Sequence, residues 1–279
     1  MTIQQALTDA TRQLTKAQVP DPSQDALLML AHILQKNPLS VRLDGARELS
    51  PEDSARYRAL LLHRAQRKPL QYLLGEQWFY GLAFHVDERV LIPRQETESL
   101  CEIGIQHLKT KIGPAALDLC TGSGAIAVTL RHFCPHAAVH ASDLSMDALE
   151  VAAANAKKHQ ADIVFHQGDL FAPLGNLTFD LILSNPPYIE SEDCKTLQAE
   201  VMQEPVMALD GGADGLDFYR RIAQQAHAHL NPGGLLAMEV GYTQAHAVAR
   251  LLTDESAWRD VAIVHDLYGQ ERIVKAYKE

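Results

Sequence analysis

None of the four cysteines, Cys101, Cys120, Cys134 and Cys194, stands in a C-x-x-C pair. Scattered singly through 279 residues, they point away from a disulfide frame or a zinc knuckle and toward reduced, mostly buried thiols. No unbroken apolar stretch approaches the ~18 residues a membrane-crossing helix needs. The opening MTIQQALTDATRQLTKAQVP has no basic start followed by an apolar core. The chain therefore reads as cytoplasmic, with no membrane association. Positive charge is scarce too: the net charge is −10, and residues 91–279 hold 14 Lys/Arg against 25 Asp/Glu, whereas residues 1–90 are near balance at 11 against 10. Nucleic-acid binders neutralise phosphates with Lys and Arg, so no direct nucleic-acid partner is expected. There are no internal repeats, no Walker motif with its lysine and no nucleophile elbow. His227 and His229, two apart on a helix, point to different faces with no third ligand near in sequence, so no metal is expected.

The composition, 47% hydrophobic, is enough for a full core, and the length suits two domains. Thr2 with Gln5 makes a capping box ahead of an amphipathic helix, and Asp21-Pro22 is placed to cap a second that Asn37-Pro38 stops. Ser50-Pro51 begins a third helix running to about Arg67, and a short apolar turn ends at Gly75. Residues 1–75 thus read as a helical bundle. Its basic run, Arg56, Arg58, Arg64, Arg67 and Lys68, reads first as a solvated helix face and second as a docking surface. Residues 76–95 contain a β-hairpin around Tyr80-Gly81 and read as a linker. From residue 96 the chain alternates: after a helix from Thr97 come strands at 115–119, 138–142, 163–167, 179–184, 235–240, 261–265 and 273–277. Helices at 124–133, 146–158, 214–230 and 243–252 separate most of them. That alternation specifies an α/β fold, a doubly wound, mainly parallel sheet of seven strands. The gap from Glu190 to Ala213 is long for an idle connection and sits where a lid would.

Chemistry concentrates at the carboxyl ends of these strands. Ala115 to Gly124, AALDLCTGSG, is a strand turning into a helix, where Gly122 and Gly124 allow close approach to the backbone and the helix start offers free N–H groups. Asp118, Cys120, Thr121, Gly122, Ser123 and Gly124 are therefore candidate cofactor-binding residues. Asp143 ends the next strand 19 residues after Gly124, the spacing of a carboxylate that accepts ribose hydroxyls. Asp169 and Leu170 end a third strand at the same edge, placed to meet an adenine amine and ring. Without a dinucleotide or triphosphate motif, a nucleoside lacking phosphates is favoured, and S-adenosylmethionine is the cofactor inferred. The fourth strand, Phe179 to Ser184, ends in Asn185-Pro186-Pro187-Tyr188. The two prolines fix φ near about −65° and remove two donors, leaving stiff carbonyl acceptors. With the Asn185 carbonyl and the Tyr188 ring, these residues suit a flat substrate bearing an NH2 group, a carboxamide or a base amine. Asn185, Pro186 and Tyr188 are the candidate catalytic residues, with Pro187 completing the substrate wall.

Asp118-x-x-Thr-Gly-Ser-Gly124, Asp143, Gly168-Asp169 and Asn185-Pro-Pro-Tyr188 resemble class I S-adenosylmethionine-dependent methyltransferases that modify planar nitrogens. Together with Pro69-Leu-Gln-Tyr-Leu-Leu-Gly-Glu76, Val86 to Arg94, Glu96-Thr97, Glu204-Pro205 and Asp214-Gly-Leu216, the chain resembles the HemK/PrmC family almost throughout. That family consists of protein-glutamine N5-methyltransferases of class 1 peptide chain release factors. The resemblance implies methyl transfer to the glutamine of a Gly-Gly-Gln motif and an N-terminal domain for docking the factor. Cys120 stands where most of that family has glycine, and cysteine there is familiar in sibling enzymes that act on a glutamine of a large-subunit ribosomal protein. The Gly241-Tyr242 and Asp266-Leu-Tyr-Gly269 stretches favour the release-factor enzyme. A nucleic-acid amino-methyltransferase and a noncatalytic binding protein are the remaining alternatives.

Overall fold

The computed structural model describes residues 1–266 and 269–279. Leu267 and Tyr268, which belong to the Asp266 to Gly269 stretch singled out above, lie outside the described residues. The chain divides into two compact units, one of residues 1–76 with 198–203, the other of 77–197 with 204–279.

The first unit is helical: α1 (Ile3–Lys16), α2 (Pro22–Leu34), α3 (Pro38–Leu43), α4 (Pro51–Ala65) and α5 (Leu70–Leu74). The capping box forms as expected, the Thr2 hydroxyl accepting from Gln5 N at 3.2 Å and Gln5 Oε1 from Thr2 N at 2.9 Å. Asp21 makes no such cap. Its backbone, at φ −119° and ψ 63°, departs from the extended conformation that aims a capping side chain at the helix start. Helix α2 already ends at Leu34 with Gln35 as a left-handed C-cap at φ +49°, and Asn37-Pro38 instead starts α3, an element the sequence reading missed, with Asn37 Oδ1 accepting from Leu39 N at 2.9 Å. Ile3, Leu14, Leu30 and Tyr57 are buried at the centre, and the Tyr57 hydroxyl donates to Ala26 O at 2.9 Å, tying α4 to α2.

The basic run is not a solvated face throughout. Arg64 is only 4% exposed. Its Nε donates to Asp25 at 2.6 Å and its Nη2 to Glu200 at 2.8 Å, while Arg67 Nε reaches the same Glu200 oxygen at 2.6 Å. The acids that neutralise these arginines come from residues 25 and 200, which no local charge pattern could reveal. The two arginines are thus structural.

The second unit opens with a hairpin, β1 (Glu76–Phe79) and β2 (Leu82–His85), which apart from Glu76 counts with this unit rather than as a separate linker. It continues through α6 (Glu98–Lys109), β3 (Ala115–Leu119), α7 (Ala125–Phe133), β4 (Ala138–Asp143), α8 (Met146–Lys158), β5 (Ile163–Gln167), β6 (Phe179–Ser184), α9 (Asp217–Gln225), β7 (Leu230–Glu239), α10 (Ala245–Thr253), β8 (Trp258–His265) and β9 (Glu271–Lys278). The seven-stranded sheet has the order β5-β4-β3-β6-β7-β9-β8, with β9 antiparallel to both neighbours and the other pairs parallel. Successive residues of β6 enter opposite cores: Leu181 and Leu183 pack with Leu100 and Ile105 of α6, and Ile182 with Ile222 of α9 and Val248 of α10. A strand covered on both faces is apolar at successive positions, which explains the run Leu181-Ile182-Leu183. Several boundaries differ from the sequence reading, among them the start of α9 at Asp217 rather than 214 and of β8 at Trp258 rather than 261. Helix α9 stops at Gln225, and β7 begins at Leu230, with a register shift opposite Phe179 to Leu181 that absorbs the Pro-Gly-Gly run.

The stretch after β6 is an ordered strap of short 3-10 turns. Ile189 bridges to Asp210, the Ser191 hydroxyl donates to Asp210 at 2.7 Å, and Glu204 accepts from Ile92 N at 2.9 Å and from Arg94. Residues 198–203 belong to the helical unit. Among the described residues no helix is long and apolar enough to cross a membrane.

Candidate active site

In the sheet order, β3 has β4 on one side and β6 on the other, so successive connections leave β3 in opposite directions and open a crevice at the strands' carboxyl ends. A cavity of about 440 Å³ lies there. Thr121, Gly122 and Ser123 line it from the turn after β3, Asp143 from the end of β4, Asp169 and Leu170 from beyond β5, and Asn185 and Pro187 from beyond β6. Four chain segments separate in sequence thus meet around one space.

The turn after β3 is held from beneath. Asp118 is fully buried, and its Oδ2 accepts from the Thr121 hydroxyl at 2.5 Å and from Ala127 N at 3.0 Å, which joins the strand to the first turn of α7. Among the described residues its Oδ1 has no hydrogen-bond partner. Burial pushes the Asp118 carboxyl up to about 7, against the pull of those two hydrogen bonds. Asp118 does not line the cavity, and neither does Gly124, which at φ +81° caps α7. A Cβ on Gly124 would stand 3.0 Å from the Ala152 Cβ of α8, so that glycine serves helix packing. Gly122 differs: at φ +53°, a Cβ there would meet nothing within 4 Å, leaving open space over the backbone. Cys120 lines the cavity and holds φ +64°, a left-handed conformation in which a side chain is strained. Burial raises its thiol, so it is no ready thiolate.

Asp143 turns both oxygens to work, Oδ2 accepting from Gly122 N at 2.8 Å and Oδ1 from Ser145 N at 2.9 Å. Each oxygen keeps a further lone pair for a ligand hydroxyl. Burial raises this carboxyl also, against its backbone hydrogen bonds. Asp169 lines the cavity, but its Oδ2 takes an ion pair from Arg221 at 2.6 Å, leaving one oxygen for an amine.

Asn185 reaches the cavity wall, with Nδ2 donating to the Thr97 hydroxyl at 3.2 Å. Pro186 is buried off the lining. Tyr188, expected to present its ring to the ligand, does not line the cavity either. Its carbonyl accepts from Gln244 Nε2 at 2.8 Å, and its ring packs with the core formed by α9 and α10, near Gly241. Burial pushes its phenol up to about 12. The two prolines stiffen the backbone, and Gln244 fixes where it goes next.

Several residues of the site escaped the sequence reading. Thr97, read as a helix start and as part of the Glu96-Thr97 resemblance but not as a site residue, lines the cavity and donates to Glu239 Oε2 at 2.6 Å. Glu239, at the end of β7, is 1% exposed, and burial pushes it up to about 7. A lone acid ending the apolar run Leu235 to Val240 was the available signal, the same one that marked Asp143. Pro205 to Ala208 of the strap form a further wall, with Val206 and Met207 half exposed at the rim; the Glu204-Pro205 pair of the resemblance touches this wall, but no local pattern marks Val206 to Ala208.

Three acids in the lining, Asp143, Asp169 and Asp210, beside Arg89 and Arg94, with an open glycine backbone at the switch point and a carboxylate with spare acceptors, fit a cationic nucleoside, and S-adenosylmethionine is both. The fold and this crevice define a class I methyltransferase. The family model described as the PrmC N-terminal domain matches residues 5–75, and that of the methyltransferase small domain matches residues 98–213. A release factor glutamine methyltransferase of Moorella thermoacetica is 42% identical across 100% of this chain and 99% of its own length, and one of Geobacter sulfurreducens is 44% identical across 89% and 86%. This chain belongs to the release factor glutamine methyltransferase family. A solved methyltransferase of Pyrococcus furiosus, 19% identical, covers 80% of this chain and 98% of its own with a TM-score of 0.52, a likeness of fold. The protein is a methyltransferase with S-adenosylmethionine as its cofactor.

Proposed function

We propose that the protein methylates the side-chain amide nitrogen, N5, of the glutamine in the Gly-Gly-Gln motif of class 1 peptide chain release factors, in the cytoplasm. The observation that carries this reading is Asn185, set on the wall of the same cavity as Asp143 and Gly122 in a chain related end to end to release factor glutamine methyltransferases. In the proposed complex Asp143 accepts the ribose hydroxyls, Asp169 and Leu170 meet the adenine, and the turn from Cys120 to Gly124 backs the cofactor. When bound, S-adenosylmethionine supplies an electrophilic methyl group.

An amide nitrogen is a weak nucleophile because its lone pair is delocalised into the carbonyl. Asn185 Oδ1 and the Pro186 carbonyl accept its two N–H bonds, which fixes the nitrogen's direction and sets negative potential where positive charge develops. Pro187 stiffens this wall and Tyr188 anchors its far end. Forming the bond from the nitrogen to the methyl carbon would break the carbon–sulfur bond and leave its electron pair on sulfur as a neutral thioether; the nitrogen would then release one of its hydrogens to water as a proton, so no strong base is needed.

A carboxamide pocket by itself cannot distinguish one glutamine from another, so selectivity is assigned to contacts away from the chemistry, on the helical unit. Removing residues 1–75 would be a poor test, because Glu200 would lose both arginines. Charge reversal at Arg56 and Arg58 leaves those pairs intact and should weaken methylation of intact factor more than that of a short Gly-Gly-Gln peptide.

The deciding experiment offers labelled S-adenosylmethionine with a class 1 release factor, a large-subunit ribosomal protein and RNA in parallel. Label should enter the release factor alone, on the Gly-Gly-Gln glutamine by mass spectrometry. Label in the ribosomal protein or RNA instead would overturn the assignment.

A further inference from the structure

We infer that Thr97 and Glu239 form a buried relay that holds the Asn185 amide with its oxygen toward the cavity, and that a proton on Glu239 releases this hold. The inference rests on the reading of Asn185 as acceptor for a substrate amide.

The two ends of an asparagine amide have nearly the same shape, so its partners decide which end faces a ligand. Here the partners leave one solution. An ionised carboxylate can only accept, so across the 2.6 Å contact with Glu239 Oε2 the single hydroxyl hydrogen of Thr97 must point at Glu239. The Thr97 oxygen then has only lone pairs for Asn185, 3.2 Å away, and must receive an N–H. Nδ2 is thereby committed to Thr97, and Oδ1 is left for the cavity. At 5% and 1% exposure, Thr97 and Glu239 have little access to water that could substitute for either partner.

A protonated Glu239 removes the constraint. It can donate to the Thr97 oxygen, freeing the Thr97 hydrogen to point at Asn185 Oδ1, and the amide can turn its NH2 into the cavity. Two donors would then face the two donors of the substrate amide. The groups facing Glu239 are Arg94 and Glu96 ahead of α6, Cys101 on α6, Tyr188 after β6, Tyr219 on α9 and Arg272 on β9. The Tyr219 hydroxyl donates to the Glu239 carbonyl at 2.8 Å, fixing the end of β7. Burial outweighs the two arginines and brings the Glu239 titration to about 7, where ordinary changes of pH reach it. Thr97 and Glu239 are positioning residues, acting through Asn185.

The test measures turnover of a class 1 release factor at saturating S-adenosylmethionine from pH 5.5 to 8.5. In the wild type, turnover should climb through about pH 7 to a plateau. Thr97→Val removes the hydroxyl and should lower kcat about tenfold or more at pH 8, while Thr97→Ser should stay within about threefold. Glu239→Gln cannot titrate and carries an NH2 that can donate to Thr97 as the protonated acid does, so it should stay folded with the pH step gone and turnover held near the low-pH wild-type level across the range. Wild-type kcat in Thr97→Val, or an unchanged pH step in Glu239→Gln, would overturn the relay. Asn185→Ala separates this from the underlying reading: if it also turns over normally, the amide pocket itself is wrong, whereas if it alone is inactive, only the relay falls.

Discussion

In the helical unit Glu200 lies between two arginines, and their hydrogen bonds hold its carboxyl down at about 2 although burial pushes the other way. In the sheet unit Asp118 and Glu239 are more deeply enclosed, have hydroxyl and amide partners, and are pushed up to about 7. Asp25 is intermediate: burial raises it even with Arg64 alongside. The first arrangement neutralises charge within the fold. The second leaves negative charge costly until a cation arrives, which is what a site for a sulfonium cofactor needs. Arginine-paired Glu200 thus serves the helical unit, whereas Asp118 and Glu239, held by hydroxyl and amide groups, contact residues of the cavity wall, Thr121 and Thr97.

The largest effect expected from breaking that contrast is in the helical unit. Arg64→Ala would leave Asp25 enclosed without its cation and should cost about 3–5 kcal/mol in urea unfolding. Replacing both members with apolar residues of similar size, Arg64→Met with Asp25→Leu, should recover most of the loss. A loss below about 1 kcal/mol in the single variant would mean that the pair behaves like a surface contact.

The next effect belongs to the cavity. Asp143→Ala removes acceptors for the ribose and the hydrogen bond that holds Gly122, so S-adenosylmethionine affinity should fall by about 10- to 150-fold, or roughly 1.5–3 kcal/mol. Unchanged binding in calorimetry would remove Asp143 from the cofactor site.

The smallest effect follows pH, with opposite signs in the two units. Glu200, lowered from 4.5 to about 2, contributes stability above its unfolded pKa that is lost as the pH falls toward 2. Asp118 and Glu239, raised from 3.8 and 4.5 to about 7, hold their protons longer in the folded state. Their contribution is full below the unfolded values and is lost as the pH rises to about 7. Without cofactor, thermal unfolding of the sheet unit should thus move to lower temperature between pH 5 and pH 7.5. Over the same window S-adenosylmethionine should bind more tightly, by at most about tenfold per pH unit for each proton released. Asp118→Asn should flatten both trends, and trends of the reverse sign would mean that these acids are ionised well below 7.

Most of the architecture was legible because it is written in local patterns. Alternating strands and helices, the capping box at Thr2 and the strand-end motifs at Gly122, Asp143 and Asn185 each depend on residues a few positions apart, where period and turn chemistry act. The amino-acid sequence by itself therefore determined the order of elements and the α/β class of the seven-stranded sheet. Tertiary structure alone decided which charges are neutralised and which side chains share the cavity. Arg64 finds Asp25 across 39 residues and Glu200 across 136, and Thr97 finds Glu239 across 142, so a run read as solvated became an internal clamp and a helix start became part of the site. The same packing carried Tyr188 off the wall that its motif suggested, because Gln244, held at the start of α10, takes its carbonyl. Hydrogen bonds and burial act through space, and no spacing along the chain encodes them.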